Sequence, residues 1–155
     1  MKRQDKYPDT STFHYFNSNP KNRVTGDCVV RAIATACNVP YNKVVMDLAE
    51  IQCKTGYDGS TNKGMSILLE KYGWTKHPQP RKEDNTKYTG KEFCEYLHEY
   101  SNHAYIPYIN GNVVANIGGN HSVAFVDEGN RHYRCYDIWN STKGCIGNYW
   151  TKDEY

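Results

Sequence analysis

Apolar residues follow a helical period over the first two thirds of the chain and a period of two over the last third. Cys28 to Asn38 is apolar on nearly every side (Val29, Val30, Ile33, Ala34, Ala36, Cys37), which predicts a helix at the centre of a domain. Thr25-Gly26-Asp27 just before it supplies turn and N-cap residues. Pro40 suits the first turn of a second helix, over 41–54, with Val44, Val45, Leu48 and Ile51 on one face. Met65, Leu68, Leu69 and Tyr72 mark a third helix over 62–72, which Gly73 stops. Thr89 with Glu92 three residues on reads as a capping box that opens a fourth helix, whose stripe is Phe93, Tyr96, Leu97 and Tyr100. Between them, 75–88 reads as a polar loop with two prolines.

Period-two alternation then predicts strands at Ala104–Ile109, Val113–Ile117, His121–Asp127 and Arg131–Ile138, with a last one near 145–151. Gly118-Gly119-Asn120 and Glu128-Gly129-Asn130 are the expected hairpin turns. Residues 1–22 read as an N-terminal arm, with a short strand possible from Ser11 to Phe16, and 23–155 as a single domain. Helices first and strands second predict an α+β fold, with an antiparallel sheet packed on helices.

Composition changes this picture little. With 155 residues the chain suits one domain. Setting its 14 Tyr aside and counting Gly, the apolar share is about 37%, below the usual ~45–50%. Tyrosine rings must therefore supply much of the core area while their hydroxyls stay hydrogen-bonded. A net charge of +2 gives no electrostatic case for a nucleic-acid partner. No apolar run is long enough to span a bilayer, so no membrane partner is expected. Met1–Lys6 is basic with no apolar stretch behind it, unlike a secretory leader. A cytoplasmic location is expected, with the six cysteines kept as thiols. They form no Cys-x-x-Cys pattern, and no metal or cofactor is expected.

Chemistry concentrates at Cys28. A cysteine at the N-terminus of a helix meets the positive end of the dipole and free N–H groups, which favour the thiolate. Cys37, Cys53, Cys94, Cys135 and Cys145 read as ordinary helix or strand residues. A nucleophile needs a base. Among the six histidines, His121 opens an apolar strand directly after a Gly-Gly-Asn turn. If His121–Asp127 and Arg131–Ile138 form a hairpin closed by 128–130, Asp127 faces Arg131 and His121 faces Asp137. Asp137 would then orient the His121 ring. Asn140 is the alternative orienter.

These residues resemble a small papain-like cysteine peptidase, nearest to the compact peptidases similar to the C39 family, of the kind familiar from bacteriophage. Gly26-Asp27-Cys28, opening an apolar helix, is similar to the nucleophile motif. Asn22, six residues earlier, takes the place of the Gln of the oxyanion hole, although it is shorter. His121-Ser122-Val123-Ala124-Phe125-Val126 resembles the His-x-Val-x strand. Asp137 stands where the family has Asp or Asn, and Tyr136 to Ser141 resembles the Asp-x-Trp end strand. The resemblance spans about residues 20–151.

It implies a Cys28–His121–Asp137 triad with an acyl-enzyme intermediate, and a protein or peptide substrate, from host or phage if the chain is phage-encoded. The same residues leave room for a cysteine acyltransferase, or for a catalytically silent papain-like binder, which the tyrosine content suits. Trp74, Trp139 and Trp150 are candidates to line a cleft, with core packing expected for at least two.

Overall fold

The computed structural model describes residues 1–99 and 108–152. The predicted helices form where the periodicity places them: α2 (Cys28–Cys37), α3 (Tyr41–Thr55), α4 (Asn62–Lys71) and α5 (Gly90–His98), after a single-turn α1 (Arg3–Lys6). α2 ends on Asn38, whose left-handed backbone (φ 54°) closes the C-terminus in place of glycine. α5 opens on the complete capping box, with the Thr89 side chain accepting from the Glu92 N–H and the Glu92 side chain from the Thr89 N–H.

Six strands make one sheet: β1 (Phe13–Tyr15), β2 (Trp74–His77), β3 (Val113–Ile117), β4 (His121–Asp127), β5 (Tyr133–Asp137) and β6 (Ile146–Lys152), in the order β1-β5-β4-β3-β6-β2. All five residues of β3 are buried, as a central strand covered on both faces requires. On one face Val114, Ala124 and Trp150 pack with α2, α3 and α4 through Ile33, Val44, Leu48, Met65 and Leu68. On the other, Val113, Ala115, Phe125, Tyr133 and Tyr149 pack with Phe93 and Leu97 of α5. The fold is α+β, with the sheet between two helical layers.

Four expectations change. The stretch taken as a polar loop begins with a strand. Trp74 is buried, His77 stacks on Tyr149 with ring centroids 4.8 Å apart, and β2 pairs antiparallel with β6 at the sheet edge. The sheet is not wholly antiparallel, because β1 joins its other edge parallel to β5. That strand and an Arg3 Nε–H donated to the Ile138 carbonyl tie the N-terminal segment to the domain. The third change lies in the β4–β5 turn. Gly129, Asn130 and Arg131 all have positive φ, so the loop takes five residues rather than three and β5 starts at Tyr133. Asp127 therefore faces Tyr133, not Arg131. Finally, Cys145 precedes β6 and makes an isolated bridge with Thr89. The strand expected at Ala104–Ile109 falls mostly outside the described residues, and Tyr108 and Ile109 are not in a strand.

Candidate active site

α2 lies chiefly across β4 and also meets β3 and β5, which brings its first residue, Cys28, to the end of the sheet where β4 begins and β5 ends. Asp27 occupies the N-cap position, but its side chain makes no capping bond. The carboxylate is used elsewhere, and the first-turn N–H groups, that of Cys28 among them, receive no cap from it.

His121 and Asp137 do meet, by a different register from the expected one. Ala124 faces Tyr136, so strand pairing runs two residues out of phase with the 128–130 hairpin. A slip of two preserves the face of the sheet, whereas a slip of one would have reversed it. Asp137 is thus the diagonal neighbour of His121, and His121 Nε2 donates to Asp137 Oδ2 at 2.6 Å. Trp139 covers the ring, with centroids 5.1 Å apart, and is itself 38% exposed. Trp74 and Trp150 are core residues.

Asp137 has no exposed side-chain surface. Its Oδ2 also accepts from Ser141 Oγ at 2.8 Å, and its Oδ1 from the Ile138 N–H at 2.8 Å and an Arg31 guanidinium N–H at 3.0 Å. Burial alone would push this carboxyl up. The bond and charge of His121, with Ser141 and Arg31, outweigh it and hold the carboxyl below its usual range. Since Nε2 faces Asp137, Nδ1 is the nitrogen left for the cysteine.

His121 and the Ser122 backbone N–H are the groups whose hydrogen bonding favours the Cys28 thiolate. Burial pushes the thiol up, but these two bonds and the charges of His121 and Arg31 bring it below its ordinary value. Burial likewise opposes the imidazolium, yet Asp137 and the Cys28 thiolate raise His121 to about 9. Burial pushes Cys37 and Cys94 up to about 12 and Cys135 up as well. The arrangement therefore favours a thiolate–imidazolium pair.

Arg31 is the residue that sequence reading passed over. It sits in an otherwise apolar helix, three residues after Cys28, and is only 6% exposed. Its Nε donates to Asp27 Oδ1 at 2.8 Å. Asp27 Oδ2 in turn accepts from Tyr41 OH at 2.5 Å and Asn19 Nδ2 at 3.3 Å. A lone charge within an apolar helix, four residues after an Asp, was the available signal.

A groove of about 570 Å³ opens beside Cys28. Val30 of α2 and Val45, Leu48 and Ala49 of α3 line it, with Gln52, Ser60 and Asn120 among its polar residues. Asn22 does not line it. Asn22 is exposed in a left-handed turn, where its Oδ1 accepts from Asn17 Nδ2 at 3.5 Å. Asn140 caps its own turn, with Oδ1 accepting from the Thr142 N–H and hydroxyl. The orienting contact to His121 comes from Asp137.

Among the described residues no group of three or more His, Cys, Asp or Glu is placed to hold a metal ion, and no helix is long and apolar enough to cross a membrane. Comparison with known proteins gave no match: no family model, no curated protein and no solved structure is significantly similar to this chain.

Proposed function

We propose that the protein is a cysteine-dependent hydrolase acting on a peptide or amide carbonyl through an acyl-enzyme. The observation that carries this reading is the grouping of Cys28 with the bonded pair His121–Asp137, which lowers the thiol and raises the imidazole at the mouth of a groove. In the first half-reaction the Cys28 thiolate attacks the carbonyl carbon. His121, protonated at Nδ1, gives its proton to the departing amine. In the second half-reaction His121 takes a proton from water, the hydroxide adds to the thioester, and the thiolate leaves. Asp137 keeps Nε2 protonated throughout and steadies the imidazolium.

The Cys28 N–H at the open first turn of α2 is one oxyanion donor. A second donor has to come from the groove rim, which favours Asn120 over the Asn22 suggested by resemblance. Val30, Val45, Leu48 and Ala49 give the groove an apolar side, its other polar residues are uncharged and Asp27 is engaged by three donors, so an uncharged substrate side chain suits it.

The test is capture of the acyl-enzyme. The protein is mixed with an activated ester of a short apolar acyl group, quenched in acid and mapped by peptide mass spectrometry. Acylation at Cys28 should far exceed that at the exposed Cys53 and Cys145, and should vanish in Cys28→Ala and fall sharply in His121→Ala. Acylation of Cys28 no faster than of Cys53 and Cys145 would overturn the proposal.

A further inference from the structure

We propose that Arg31 is a positioning residue of this site, holding one oxygen of Asp137 so that the other stays on His121 and supplying the positive charge that sets where the Cys28–His121 pair forms. The proposal rests on the functional reading of that pair. Its geometric basis is a cluster of five groups, with Arg31 and Asp137 buried and the other three half-buried. Asp27 and Cys28 come from the start of α2, Arg31 from one turn later, His121 from β4 and Asp137 from the end of β5. Around it stand Tyr41 of α3 and Asn19 of the preceding loop, both on Asp27, and Ser141 after β5, on Asp137. Ser18 donates to the Arg31 carbonyl at 3.4 Å, and the Ser122 N–H favours the Cys28 thiolate.

Two carboxylates in this cluster are almost fully removed from water, and Arg31 is the one permanent cation among these groups. The guanidinium uses different nitrogens for them, Nε for Asp27 and a terminal N–H for Asp137. The planar fork thus fixes the distance between the nucleophile's own turn and the orienting carboxylate. An ammonium group could not hold both ends in this way.

The charge has a second consequence. Arg31 favours the thiolate and, by sharing Asp137, restrains the imidazolium from holding its proton too tightly for transfer to a leaving group. Removing the cation must move both titrations upward. Removing the competing carboxylate, Asp27, must move both downward, because Arg31 is then less neutralised.

These opposite signs make the test. Cys28 alkylation by iodoacetamide is followed from pH 4 to 10 for wild type, Arg31→Met, Arg31→Lys and Asp27→Asn, at a temperature where circular dichroism shows each variant folded. In Arg31→Met both limbs of the profile should shift up by about half a unit to one unit. In Asp27→Asn both should shift down by a similar amount. Arg31→Lys should keep the limbs near their wild-type positions but react several-fold more slowly, since the charge survives and the fork does not. An Arg31 that merely braces the fold would lower the melting temperature in all three variants and leave the limbs where they were, which would overturn the proposal. Asp27→Asn keeps Arg31 in place, so it decides the matter even if Arg31→Met fails to fold. Limbs absent from wild type itself would instead count against the functional reading.

Discussion

Replacing Asp137 with Asn changes one oxygen to an NH₂ and should disable the site for a reason specific to its surroundings. Oδ1 accepts from Arg31 and the Ile138 N–H, and Oδ2 from His121 and Ser141. With the amide oxygen toward Arg31, the NH₂ donates to His121 Nε2 and forces the proton onto Nδ1, where a neutral ring can no longer accept from the cysteine. With the oxygen toward His121, the NH₂ meets the Arg31 and Ile138 donors head-on. Both orientations lose the charge that raises His121 to about 9. If His121 returned to its ordinary 6.5, the imidazolium fraction at pH 7.5 would fall from about 97% to about 9%, and burial would lower it further. The selective reactivity of Cys28 at that pH should therefore drop at least tenfold. Breaking the buried contacts should also cost about 3–5 kcal/mol of stability. The assay is Cys28 alkylation against pH by peptide mass spectrometry, with Cys53 and Cys145 as internal exposed-thiol references and circular dichroism to verify folding. A basic limb that stays near pH 9 in the folded variant would refute the reasoning, because His121 would then owe its basicity to something other than Asp137.

Other consequences can be checked more briefly. His121 has a raised folded pKa, so its contribution to stability is complete below 6.5 and is lost as pH rises through about 9. Asp137 has a lowered one, so its contribution is present above 3.8 and is lost as pH falls through its folded value. Urea melts should thus show stability falling on both sides of neutrality, and His121→Gln should flatten the alkaline side. Trp139→Ala should rehydrate His121, relieve the burial that opposes its imidazolium and move the basic limb of Cys28 alkylation above 9, with a stability loss under about 1 kcal/mol because the ring is partly exposed. Gly90→Ala should destabilise by about 1–3 kcal/mol in the same melts, since a Cβ there would lie 2.9 Å from Ile117 Cδ1 and 3.0 Å from the Thr142 backbone.

Local pattern determined a definite part of this protein. Periodicity set four helices to within a residue or two, and the capping box fixed where α5 begins. An apolar helix opening on Cys28 placed that thiol at a helix N-terminus, and alternation put His121 at a strand start. Parity put Asp137 on the same face as His121 even though the turn was misjudged. Which face a side chain takes depends on the parity of the pairing register, and a two-residue slip leaves that parity unchanged.

Tertiary structure decided the rest. Whether Trp74–His77 and Phe13–Tyr15 are strands depended on sheet edges supplied by β6 and β5, because an edge strand this short has no local pattern strong enough to declare itself. The left-handed run Gly129–Arg131 was set by how β4 and β5 had to pair. Arg31 and Asp137 lie 106 residues apart in sequence. Nothing local tells a charged residue in an apolar helix which carboxylate it will meet, or that it will meet two. Burial makes that choice, because a guanidinium taken from water must find partners wherever packing brings them.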